Sequence, residues 1–146
     1  MPLLQNAAAL IRNNLEQIQR SERASLVVIG SLTEAQLAAI NVFRTSEGFP
    51  PVVSDVVFIG KHIYQSRIVK DGYTIEDVVE QIAGGMQSNA VVLVGESMTA
   101  MENPNARPDR YGNLVKDRIV FECTARHPRP ELFSVVPKGD TNKPVK

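Results

Sequence analysis

The apolar positions of this chain fall first on helical spacing and later on strand spacing. Over residues 3–20, Leu4, Ala8, Ile11, Leu15 and Ile18 recur at steps of three and four and form one stripe. Arg12, Asn13, Glu16, Gln17 and Gln19 fall on the other side. Residues 26–29 (LVVI), closed by Gly30 and Ser31, predict a short strand. A second helix begins at Thr33, whose hydroxyl caps it while Gln36 completes a capping box. Leu37, Ile40, Val42 and Phe43 supply its buried side, and Gly48, Pro50 and Pro51 end it. Residues 52–59 read as extended and 61–69 as a short helix. Thr74 then caps a third helix with Asp77 three residues on and Ile75, Val78, Val79 and Ile82 on its apolar face. Glu76 and Asp77 suit the positive end of its dipole, and Gly84-Gly85 stop it.

From residue 90 the period shortens to two. Residues 90–94 (AVVLV) form a β-branched run, and residues 103–113, rich in Pro, Asn, Arg and Gly, form a loop. Strands over 118–126 and 131–137 follow, joined by a His-Pro-Arg-Pro turn. In the first of them Ile119, Phe121, Cys123 and Ala125 share a core face, and Arg118, Val120, Glu122, Thr124 and Arg126 share the other. The pattern predicts an α+β fold, N-terminal helices followed by a small antiparallel sheet with a C-terminal β-hairpin. It divides into a helical N-terminal extension (1–48), an α+β domain (49–138) and a flexible tail (139–146).

Composition narrows the class. With 146 residues, 43% hydrophobic and 22% charged, the chain has the size and balance of one globular domain. No apolar run approaches the roughly 18–20 residues that cross a bilayer, so no membrane partner is expected. The N-terminus lacks a basic region before its apolar residues, and cytoplasmic residence follows as the expectation. Cys123 is the single cysteine and has no internal disulfide partner. Zero net charge weighs against a protein that coats nucleic acid. The charge is uneven, however: residues 1–100 hold seven Lys/Arg against ten Asp/Glu, and residues 101–146 nine against six. The C-terminal sheet is therefore mildly cationic, which suits a phosphate.

The candidate chemistry gathers where proton-transfer groups and cations share a small space. Metal-free RNA cleavage needs a base for the 2′-hydroxyl, an acid for the departing 5′-oxygen, and cations around the phosphorane between them. His62 and His127 are the only histidines, Glu122 is a third acid–base candidate, and Tyr64 or Tyr73 is a further donor. Arg67, Arg118 and Arg126 offer forks that match phosphate oxygens. Each residue has a plainer reading. The polar strand face fits a solvated sheet surface with ion pairs such as Arg126 with Glu131, His62 fits a partly buried histidine, His127 fits an exposed turn, and Cys123 fits a small buried hydrophobe. No HxH, HExxH or CxxC spacing occurs, leaving only Asp109 and Asp117 as Mg²⁺ candidates, and no metal or cofactor is expected. No P-loop or G-x-S-x-G elbow is present.

The His62-Ile63 pair, the capped helix 74–86 (TIEDVVEQIAGGM), the strand 90–94 and the terminal stretch 134–137 (SVVP) together resemble the small-nuclease group that includes barnase, EndoU, certain colicins and RelE. The resemblance spans residues 55–138. It implies helices before a curved antiparallel sheet and a metal-independent endoribonuclease acting by 2′-hydroxyl transesterification, of the kind found in toxins and mobile elements. Carried onto this chain, His62 matches the helix histidine, Arg126 a sheet cation and Ser134 the hydroxyl of the last strand. Joined with the residue chemistry above, this gives an expected catalytic set of His62, Arg67, Glu122, Arg126 and His127, with Arg118, Thr124 and Ser134 binding substrate. RNA and a protein inhibitor are the expected partners, and the narrow seam of helix 3–20, which more commonly packs within its own chain, also offers a route to a homodimer. The loop 103–117 and the neutral charge depart from the group's pattern. They leave a second expectation open, a non-enzymatic regulator or inhibitor of phage or plasmid type that binds another protein.

Overall fold

The computed structural model of the chain describes residues 3–95, 98–123 and 129–139. Two capping boxes place the helix starts. Thr33 accepts from the Gln36 amide while the Gln36 side chain accepts from the Thr33 amide, opening α2 (Glu34–Ser46). Thr74 and Asp77 repeat the exchange at α4 (Ile75–Gly85). The first helix is α1 (Ala7–Gln19), shorter than the expected 3–20: Ile11 and Leu15 of the stripe are buried, whereas Leu4 precedes the helix and is 47% exposed and Ala7 is buried in place of Ala8. A short turn of helix, α3 (Lys61–Ile63), runs on as a π-helix over Tyr64–Lys70.

The strands are β1 (Val27–Ser31), β2 (Asp55–Phe58), β3 (Val91–Gly95), β4 (Met98–Glu102), β5 (Arg107–Pro108), β6 (Leu114–Glu122) and β7 (Glu131–Gly139). They form one sheet in the order β1-β2-β7-β6-β4-β3, with β5 added to β6. All pairings are antiparallel except β2 with β7. The fold is α+β with a C-terminal β6–β7 hairpin, as the periodicity predicts, and the sheet is mostly antiparallel but mixed through the β2–β7 pair. Residues 1–48 do not stand apart as an extension. β1 is part of the sheet, and Ile11, Leu15, Ile29 and Ile40 share one buried cluster with Phe58, Ile82, Ile119 and Leu132. The stripe on α1 is thereby consumed inside its own chain, with Ile11 and Leu15 essentially inaccessible, and it is not free to join two copies. Residues 140–146, the expected tail, lie outside the described residues.

α2 turns differently from its apolar pattern. Val42 is 72% exposed, while Gln36, Ile40 and Arg44 point inward. The polar ends of that inward line have partners to satisfy. Gln36 donates to the carbonyls of Gln87 and Ser88, and Arg44 donates to those of Pro50 and Cys123. Closing the ends of other segments outweighs burying one more valine.

All four helices deliver their buried residues to the same sheet face, through Ile11 and Leu15, Ile40, Ile63, and Val78 and Ile82. The alternation along β6 sets that face: Val115, Asp117, Ile119 and Phe121 are buried and the residues between them are not. α4 comes closest to the sheet. A Cβ on Gly84 would strike Asp117 Oδ2 and Asn103 Nδ2, and one on Gly85 would strike the Ile119 side chain. Both glycines lie within the helix, so close packing explains them better than the helix stop expected of them. Gly85→Ala is expected to destabilise the protein by about 1–3 kcal/mol through overpacking. Gly95→Ala, where an added Cβ meets nothing within 4 Å, is expected to be nearly neutral. Denaturant midpoints of the two variants check this, and equal shifts would refute the close-packing account.

Candidate functional site

α3 leaves the end of β2 and runs beside β7, because the parallel β2–β7 pairing ends at Phe58 and Leu132 while β7 continues. Ile63 drops into the core and His62 stays outside. The His62 ring lies 6.0 Å from the Phe133 ring, centroid to centroid, and its Nε2 is 3.3 Å from the Ser66 hydroxyl one turn on. Phe133 occupies that place because the β6–β7 register slips between Val120 and Phe121: Val120 faces Ser134, Phe121 faces Leu132, and Phe133 is the extra residue. Phe133 also borders a cleft with Phe43, Phe49, Cys123 and the exposed Glu122. His62 and Glu122 thus come to neighbours of one aromatic ring, but no hydrogen bond joins them among the described residues. Thr124, Arg126 and His127 lie outside those residues.

The cations expected to hold phosphate are engaged elsewhere. Arg67 Nη1 pairs with Asp71 Oδ2 at 2.8 Å. Arg118 Nη2 donates to Glu102 Oε2 at 2.8 Å on the helix-free face of the sheet. Each keeps a buried Nε with no partner among the described residues. Ser134 is partly exposed on β7 opposite Val120, two positions along from Arg118. The structure therefore brings Arg118 and Ser134 onto one surface and leaves His62 and Arg67 on the segment flanking β7.

Cys123 is half buried against the core. Burial, with the carboxylates of Glu131 and Glu122 adding to it and Arg44 opposing, pushes its thiol up to about 11. It remains a thiol at neutral pH, which suits the small-hydrophobe reading.

The densest polar cluster was missed by pattern reading. Asp117 is fully buried on the helix side of β6 and takes a two-pronged contact from Arg107, Nε to Oδ2 at 2.8 Å and Nη2 to Oδ1 at 2.9 Å. This pairing holds the Arg107 guanidinium above its usual range. A signal existed: the period-two alternation carried back from Ile119 puts a charged residue at an inward place, and such a residue demands a partner. The same loop is tied down again farther on. Arg110 reaches Asp77 and the Gly72 carbonyl, Tyr111 donates to the Asp71 carbonyl, and Tyr73 donates to Asp109. Asp109 also accepts from the amides of Tyr111 and Asn113. The two carboxylates weighed for Mg²⁺ are thus occupied by a guanidinium and by turn amides, and their contacts are those of a loop clamp.

Neither a protein-family model, nor a curated protein, nor a solved structure matches the chain. Among the described residues no helix is long and apolar enough to cross a membrane.

Two outcomes test the clamp. Arg107→Ala strands a buried carboxylate and is expected to cost about 3–5 kcal/mol, most of which Asp117→Asn in the same chain restores. Strictly additive losses in that double-mutant cycle would count against a coupled pair. Burial, reinforced by the Asp109 carboxylate, raises the Tyr73 phenol to about 12. An unfolded tyrosine ionises near 10, so the stabilising contribution is complete below about pH 10 and is lost as pH climbs toward 12. Thermal midpoints across that window should fall less steeply for Tyr73→Phe than for the unaltered chain. Parallel curves would refute the linkage.

Proposed function

We propose that this chain is a non-enzymatic protein-binding module whose recognition surface is the sheet face opposite the helices. The observation that carries the reading is the sidedness of the apolar residues. Leu93, Val120 and Val136 alternate with the core positions of β3, β6 and β7, are only partly buried, and do not belong to the buried cluster that all four helices share. Val91 on the same face is 48% exposed. Partly exposed apolar side chains interspersed with charge on the sheet face opposite the helices suit a protein-binding surface. The countercharges support the same reading. A phosphate seeking Arg67 or Arg118 must displace a carboxylate already at 2.8 Å from each.

One observation favours a second reading, the metal-independent endoribonuclease. An exposed imidazole beside the last strand, sharing the Phe133 ring with the cleft that Glu122 lines, favours that reading.

A pair of measurements separates the two. On the binding reading, labelled single-stranded RNA incubated with the chain in EDTA is expected to stay intact. A photo-crosslinking amino acid at Leu93 or Val136 is expected to yield a discrete protein adduct, while one at the exposed Val42 on α2 is not. Cleavage to 2′,3′-cyclic phosphate ends, abolished by His62→Ala, would replace this reading with the nuclease. No adduct specific to the sheet positions would end the binding reading by itself.

A further inference from the structure

Cross-strand register on the helix-free face sets like charges opposite one another at both ends of the β6–β7 pair. Lys116 faces Lys138 at one end, and Glu122 faces Glu131 at the other. Directly opposed like charges weaken a sheet, so folding of the single chain does not account for this placement. None of the four is in an ion pair with another described residue. Between the two ends lie Val120, Ser134, Val136 and the Arg118–Glu102 pair. The surface therefore has a basic end, a mixed middle with a closed ion pair, and an acidic end. From residue 116 to residue 122 it runs about 20 Å.

We infer that the occupant of this face is a second copy of the same chain, laid sheet to sheet about a two-fold axis that crosses β6 near Ile119 and β7 near Val135. The inference rests on the protein-binding reading of this face and names its partner. A two-fold axis lying between the sheets and across the strands reverses this surface. It sets the lysine pair of each copy over the glutamate pair of the other. An isologous contact must be self-complementary, and a surface with opposite charges equally far from its centre meets that condition at both ends at once. A partner of uniform charge would match one end and be repelled by the other.

Sedimentation of the full chain over a wide concentration range tests this. The unaltered protein is expected to dimerise. Lys116→Glu with Lys138→Glu, and separately Glu122→Lys with Glu131→Lys, are each expected to weaken self-association by at least about tenfold. Each double variant keeps its opposed pair alike in sign, so the strain within the sheet is unchanged and circular dichroism should show an intact fold. Mixing the two variants is expected to restore association as a heterodimer, an outcome that misfolding cannot produce. A unaltered chain that stays monomeric, or a dimer indifferent to both reversals, overturns the inference. If the chain is monomeric yet Leu93 and Val136 still crosslink to a different protein, only the identity of the partner falls. If no sheet-specific adduct forms at all, the binding reading falls with it.

Discussion

The close seam between helix and sheet in this protein is made by side chains that two glycines lack. Gly84 and Gly85 let α4 lie directly on β6, one over Asp117 and the other over Ile119. With any side chain at those two places the helix would ride higher and open a gap that Val78 and Ile82 could not fill. Because α4 lies low, α1 can pack against it, bringing Ile11 and Leu15 into the same cluster. α2 lies along the edge strand β3 and α3 along β7, inside the sheet between β2 and β6. One tight seam thereby recruits every helix to a single side of the sheet, and the opposite side is left to be exposed or covered by something else.

The same seam sets the electrostatics. Asp117 reaches the interior because β6 alternates without interruption from Val115 to Phe121, and the low helix shuts off water above it. A carboxylate so placed needs a cation with matching geometry, and Arg107 supplies a rigid fork from the neighbouring β5. That pairing anchors the start of the loop, and the Arg110, Tyr111 and Tyr73 contacts fasten its end to the opening turn of α4 and the segment before it. Net stability from such a buried pair is modest, because desolvation offsets most of the attraction. Its consequence is specificity of placement: the loop has one position in which the carboxylate is satisfied.

Local features were legible in the sequence where they depend on neighbours within four residues. Both capping boxes, the α1 stripe and the alternation that turns Ile119 and Phe121 inward follow from spacing alone, and the α+β class follows from them. What spacing does not encode is which distant segments meet. The parallel pairing of β2 with β7 joins residues about seventy positions apart, and it makes the sheet mixed and absorbs the N-terminal segment into it. The inward turn of Gln36 and Arg44 is decided by carbonyls of remote segments, so hydrophobicity alone misassigns Val42. The candidate site divides in the same way. That His62 lies near the terminal strand is a statement about chain order and sheet edge. That Arg67 and Arg118 are countercharged depends on Asp71 and Glu102 adopting particular side-chain directions, which composition does not fix.

Those countercharges decide how the cationic C-terminal third should be understood. A surplus of Lys and Arg attracts phosphate only if the potential it creates reaches solvent. Here Arg107, Arg110 and Arg118 each face a carboxylate within about 3 Å, so most of their field closes locally. The charges that remain outward on the sheet, Lys116 and Lys138 against Glu122 and Glu131, are opposite in sign and lie at opposite ends of one face. Their sum is zero and their dipole is not. A surface with a dipole and no net charge offers little to a uniformly anionic polymer. It discriminates strongly among oriented partners, because reversing the partner exchanges attraction for repulsion at both ends. The physical content of this face is orientation, a property that protein–protein recognition uses and that general phosphate binding does not.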